Sequence, residues 1–169
     1  MVPNFAEFRL IFSRLGLDIV SFTPVGYTKS EKYNAKHAYE KQWTTKHKTL
    51  DYCFDRIKKG IATGYGLVTG NGLLAIDFDG ENSFKIATAA ANWLIDIETL
   101  SWSSGKSHRQ QKLFKIPDHR LKDFENFKNK KIYSYGEIEQ IKGEQLELRY
   151  NGSQSVLPPS KHPETDCYQ

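Results

Sequence analysis

Between Tyr65 and Gly80 the chain reads YGLVTGNGLLAIDFDG, two β-rich runs about a Thr69-Gly70-Asn71-Gly72 turn. An Asn-Gly pair supplies the positive backbone angles that a tight two-residue turn needs, so this segment predicts an antiparallel hairpin ending at Gly80. A sheet built on it must have one face covered. Segments of helical period can supply the cover. Phe5, Phe8, Phe12 and Leu15 recur at helical spacing between Asn4 and Gly16, where Asn4 and Glu7 resemble a capping box. Leu50, Cys53, Phe54 and Ile57 line one face of Thr49 to Lys59, with Gly60 as terminator. Ser83 to Leu100 is Ala-rich, and its stripe of Phe84, Ala87, Ala91, Leu94 and Ile95 predicts one helix packed on the sheet.

Asp18 to Val25 reads as a short strand, and the polar, basic stretch from Gly26 to Trp43 reads as a long surface segment. Strand candidates follow in RQQKLFKI, KIYSY, EIEQI, QLELRY and QSVL, with a short helix around Leu121 to Phe127 and a second hairpin marked by Asn151-Gly152. Helices alternating with, then giving way to, strands predict an α+β fold with helices on one side of a largely antiparallel sheet. With 169 residues, 38% of them hydrophobic, the chain can bury one substantial core, so residues 1–169 are expected to form a single domain. No run is long and apolar enough for a signal peptide or a membrane span, which predicts a cytoplasmic protein with no membrane partner. Cys53 and Cys167 lack metal-ligand spacing and read as free thiols. The charge of +4 suits a polyanionic partner without requiring one.

Three segments carry candidate chemistry. Asp77 and Asp79 alternate along a strand, so both side chains share a face roughly 6.6 Å apart. Carboxylates emerging from an apolar run must be solvated, paired or metal-bound, and hard cations prefer oxygen ligands. A solvated strand end would show the same pair. Trp102 to His108 gathers hydroxyls, a glycine, a lysine and an imidazole, suited to phosphate oxygens or simply to a turn. It ends in GKS, but Leu100 stands where a P-loop needs its first glycine. Ser107 and His108 are adjacent, so on a regular strand they would point to opposite faces. In the third segment Glu147 and Arg149 share a strand face, fit either to extend a carboxylate set and bind phosphate or to form an ion pair. Glu137 and Glu139 offer the same spacing.

Taken in order, GYGLVTGNGLLAIDFDG, SSGKSH and ELRYNGSQSVLPPSKHPET resemble the three motifs of the bifunctional primase-polymerase domain of the archaeo-eukaryotic primase superfamily, especially forms from bacterial replicons and mobile elements. The resemblance runs from about Leu15 to Gln169, and its most specific piece is Pro158-Pro159-Ser160-Lys161-His162. It implies an RRM-like, largely antiparallel sheet with an N-terminal α/β lobe. It also implies a DNA primase/polymerase performing template-directed, metal-dependent nucleotidyl transfer from nucleoside triphosphates. Carried over residue by residue, Asp77, Asp79 and Glu147 would hold two magnesium or manganese ions, and His108 would meet the incoming phosphates. Ser104, Lys106 and Arg149 become further nucleotide-binding candidates, while Ser160 and His162 would shape the site. Implied partners are single-stranded DNA template, primer, and a helicase domain or protein. Lys29, Lys32, Lys36 and Lys41 are candidates to track template, and Tyr27, Tyr33 or Trp43 to stack on bases. Family members generally continue past PPSKHPET, so the chain is read as C-terminally truncated relative to them. The same carboxylates would serve a metal-dependent nuclease, and a non-catalytic nucleic-acid-binding relic would keep the scaffold alone.

Overall fold

The computed structural model describes residues 5–14, 16, 22–26, 36–135 and 143–169. The chain is an α+β protein of antiparallel sheets and divides into two compact units, one of Met1–Val68 with Gln154–Gln169 and one of Thr69–Ser153.

The first unit holds α1 (Phe5–Arg14), β1 (Phe22–Gly26), β2 (His37–Ala38), α2 (Leu50–Lys58), β3 (Gly64–Val68), β9 (Gln154–Val156), β10 (Lys161–His162) and β11 (Asp166–Cys167). Its main sheet runs β2-β1-β3-β9, every pair antiparallel. Both helices appear where the periodicity put them. Thr49 caps α2 by accepting the Tyr52 N–H at 3.2 Å. The core is aromatic: Tyr65 packs edge-on against Phe54 at 5.2 Å and Phe12 at 6.4 Å, and Phe22 lies against both Phe12 and Tyr65. Burying each such ring contributes about 1.5–3 kcal/mol.

The Pro158 to His162 segment is part of this unit's framework. Ser160 Oγ accepts the Tyr65 N–H at 2.9 Å and donates to the Tyr65 carbonyl at 3.1 Å, while the Tyr65 hydroxyl donates to the Pro158 carbonyl at 2.5 Å. Buried His162 accepts the backbone N–H groups of Glu164 and Thr165 on Nδ1, both at 3.2 Å.

The second unit holds β4 (Leu73–Asp79), α3 (Glu81–Ala90), α4 (Trp93–Asp96), β5 (Ser101–Trp102), β6 (Arg109–Lys115), β7 (Lys130–Tyr135) and β8 (Glu144–Arg149), with a 3-10 helix over Asp118–Phe124. Its sheet runs β5-β6-β4-β8-β7. Ile76 and Phe78 from β4, Leu146 from β8 and Ala87 from α3 form its core, with Phe84, Leu94 and Ile95 of the helical segment packed against them. The helices therefore cover the even-numbered face of β4. The odd-numbered face carries the carboxylates.

Two expectations are corrected. Neither Asn-Gly turn closes a hairpin ladder. Asn71 and Gly72 do take positive φ, 50° and 87°, and Gly70 and Leu73 exchange a pair of backbone bonds, but β3 then pairs with β1 and β9 while β4 pairs with β6 and β8. Asn151 and Gly152 likewise take positive φ, and β8 and β9 lie in different sheets. Both turns are places where the chain changes sheets, and Thr69 N–H donates to the Ser153 carbonyl at 3.0 Å between them. The helix expected over Ser83 to Leu100 is also two helices. Ala91 is extended (φ −159°), and the Asn92 side chain accepts the Trp93 N–H at 2.8 Å to start α4. Buried Lys112 donates to the carbonyls of Ile95 and Ile97 at the end of α4. The strand expected in EIEQI, the capping role of Asn4, and Tyr27, Lys29, Lys32 and Tyr33 lie outside the described residues. Among the described residues no helix is long and apolar enough to cross a membrane.

Candidate functional site

Partners across an antiparallel ladder point to the same side, so register decides which side chains meet. Asp77 is paired with Glu147 on one side and Gln111 on the other. Gln111 pairs in turn with Trp102, and Glu147 with Lys131. One row thus crosses the five strands as Trp102, Gln111, Asp77, Glu147, Lys131. One pleat along, Asp79 pairs with Arg109 and Gln145; one pleat the other way, Ala75 pairs with Leu113 and Arg149. The structure brings Asp77, Asp79, Glu147 and Arg149 onto one face, with Arg109 and Gln111 added by the β6 register.

Two guanidiniums neutralise this face. Arg149 Nε lies 3.2 Å from Asp77 Oδ2 and 3.1 Å from Glu147 Oε2, joining carboxylates that would otherwise repel. The three side chains are mostly sheltered, at 22%, 14% and 21% exposure. Asp79 is buried and forms an ion pair with Arg109. Arg149 therefore meets carboxylates, as the ion-pair alternative had it, and reaches across strands as well as along its own.

The loop between β5 and β6 holds the second group of candidates. Ser103 Oγ donates to the Arg109 carbonyl at 2.6 Å and accepts the Gly105 N–H at 3.0 Å, folding the loop on itself. Ser104 and Lys106 are half-buried within it, off the ladder. His108 is not in regular strand: its φ is +54°, so Ser107 and His108 do not point to opposite faces, and the Ser107 hydroxyl meets His108 Nδ1 at 2.8 Å. The His108 carbonyl accepts the Gly80 N–H at 2.8 Å, pinning the imidazole's backbone beside the residue that follows Asp79. The ring itself is exposed.

Gly80 links the acidic strand to α3. Its φ of +116° suits glycine, and a side chain there would run into Glu144. The Glu144 carboxylate accepts the Asn82 N–H at 2.8 Å and so fills the first turn of α3.

The residues suit a hard divalent cation in kind: three carboxylates on one face, two of them in register and already sharing a cationic group. They are not gathered around a point. Among the described residues no three His, Cys, Asp or Glu side chains are grouped to hold a metal ion. Gln111 is a neighbour that the β4-centred reading missed. Among the described residues, its buried amide oxygen and the indole nitrogen of Trp102 beside it have no hydrogen-bond partner. Ser160 and His162 lie in the other unit, as do Lys36, Lys41 and Trp43, of which the two lysines are exposed and the tryptophan half-buried.

No curated protein matches the chain. A family model described as "Bifunctional DNA primase/polymerase, N-terminal" matches residues 13–169, a span that includes the whole carboxylate row, the His108 loop and the Pro158 to His162 segment. That match covers nearly all of the chain and implies primase/polymerase chemistry of the nucleotidyl-transfer kind. The chain belongs to the bifunctional DNA primase/polymerase N-terminal family.

Proposed function

We propose that this protein carries out template-directed, metal-dependent nucleotidyl transfer from nucleoside triphosphates, and that the odd-numbered face of β4 and β8 is where it does so. The observation that carries the reading is the in-register pair Asp77 and Glu147, with Asp79 one pleat on. Asp77, Asp79 and Glu147 would hold magnesium or manganese. When bound, such ions activate the 3′-hydroxyl and neutralise the triphosphate and departing pyrophosphate. The carboxylates orient the reactants by accepting positive charge on one face. His108, its Nδ1 engaged by Ser107, has Nε2 for a phosphate oxygen, and Ser104 and Lys106 lie in the same loop to add contacts. The bond that forms joins the 3′-oxygen to the α-phosphorus, and the bond that breaks releases pyrophosphate. No side chain enters either bond.

The α+β architecture is in keeping with a primase-like, RRM-like sheet. The basic early segment is the candidate path for single-stranded template and primer, and replication of a bacterial replicon or mobile element in the cytoplasm, beside a helicase, is the setting we infer. The test is incorporation of labelled deoxynucleotides or ribonucleotides on a primed and an unprimed single-stranded template with manganese. Triphosphate-dependent products that vanish in Asp77→Asn support the reading. Nicking of the template without triphosphates points to a nuclease, and template binding without either activity to a non-catalytic module.

A further inference from the structure

We propose that Arg149 is the resident counter-cation of the carboxylate pair, holding Asp77 and Glu147 together in the metal-free protein and giving way when a divalent cation binds. The proposal rests on reading Asp77 and Glu147 as cation ligands. Side by side in the ladder and mostly shielded from water, the two carboxylates repel unless a positive charge lies between them. Arg149 supplies it from one pleat away, with Nε at 3.2 and 3.1 Å from one oxygen of each. A guanidinium stays charged at any ordinary pH, so deprotonation cannot withdraw it; another cation has to compete for those oxygens. Arg109 stands in the same relation to Asp79. Two guanidiniums against three carboxylates keep the face close to neutral, Arg149 shared by Asp77 and Glu147 and Arg109 paired with Asp79. Cation binding on this face is therefore an exchange, in which the carboxylates leave the guanidinium and gather on the ion.

The test is manganese binding, read from the loss of the free-ion electron paramagnetic resonance signal, together with thermal melts of the metal-free protein. Compared with the unaltered chain, Arg149→Met should melt lower without metal, bind manganese about tenfold tighter, and recover its melting temperature at saturating manganese. Arg149→Lys should fall between the two, and it carries the test alone if Arg149→Met does not fold. Lys115→Met, an exposed cation further along the same sheet face, should change the affinity by no more than about twofold, because exposed charges are screened. Equal or weaker manganese binding by Arg149→Met, or equal tightening by Lys115→Met, overturns the proposal while leaving the carboxylates as ligands. If Asp77→Asn combined with Glu147→Gln binds manganese as the unaltered chain does, or neither binds it, the ligand reading fails and the counter-cation role with it.

Discussion

Asp77 and Glu147 are direct partners across the β4 and β8 ladder, and a single nitrogen of Arg149 lies within 3.2 Å of a carboxylate oxygen on each. The sheet's register makes this pair; neither residue's own neighbours in the chain would. The site's charge balance is therefore a property of strand pairing, and substitutions that loosen the sheet should disturb it as surely as substitutions of the acids.

Gly80 is the joint between the acidic strand and α3. Gly80→Ala must adopt a φ near +116° that side chains rarely accept and must displace Glu144, which caps the helix. The expected cost is about 1–3 kcal/mol, measured as a fall in the denaturation midpoint without a change in slope. An unchanged midpoint would show that the joint relaxes freely.

Ser160 tests whether the Pro-Pro-Ser-x-His segment is framework. Ser160→Ala removes the hydroxyl that accepts the Tyr65 N–H in the buried heart of its unit, while the Tyr65 carbonyl keeps the Leu157 N–H at 3.1 Å. A loss of about 1–3 kcal/mol is expected from urea melts. Stability equal to that of the parent would leave the segment's role to be sought elsewhere.

The two thiols should separate by reactivity. Burial pushes the Cys53 thiol up to about 12, whereas Cys167 is half-exposed at the end of β11. At pH 8 a disulfide reagent should titrate one thiol quickly and the second only on unfolding. Because the folded value lies above the unfolded one, the Cys53 contribution to stability is intact below about pH 8.5 and declines as pH rises from there toward the folded value. Melting temperatures in Cys53→Ala should accordingly lose part of the alkaline decline seen in the parent chain.

Period alone made much of this structure legible. The spacing of Phe8 and Phe12 and of Leu50 and Cys53 marked α1 and α2, and the two-residue repeat put Asp77 and Asp79 on one face. What it could not contain was which strand lies beside which. Asn71-Gly72 and Asn151-Gly152 are genuine positive-φ turns, so they looked like hairpins; the flanking strands take other partners because each unit's sheet offers longer ladders. Arg109 and Gln111 escaped for the same reason, since only the β4 to β6 register sets them beside Asp79 and Asp77. The hint was their two-residue spacing from apolar Leu113, which puts all three on one face of β6. Register likewise gives Glu147 its place in the row; Glu137 and Glu139, which share its spacing, lie outside the described residues. The break at Ala91 was hidden because an apolar stripe continues across it, and the cap that restarts the helix is a single Asn92 side chain.

The most direct measurement is the rate of triphosphate incorporation on a primed template by Glu147→Gln, an isosteric change that removes the charge, with the melting temperature confirming that the variant is folded. A fall of about a hundredfold or more is expected with manganese present, because a ligand to the ions that stabilise the transferring phosphates is lost. Incorporation at the parent rate by the folded variant would contradict the assignment of the β4 and β8 face as the catalytic centre.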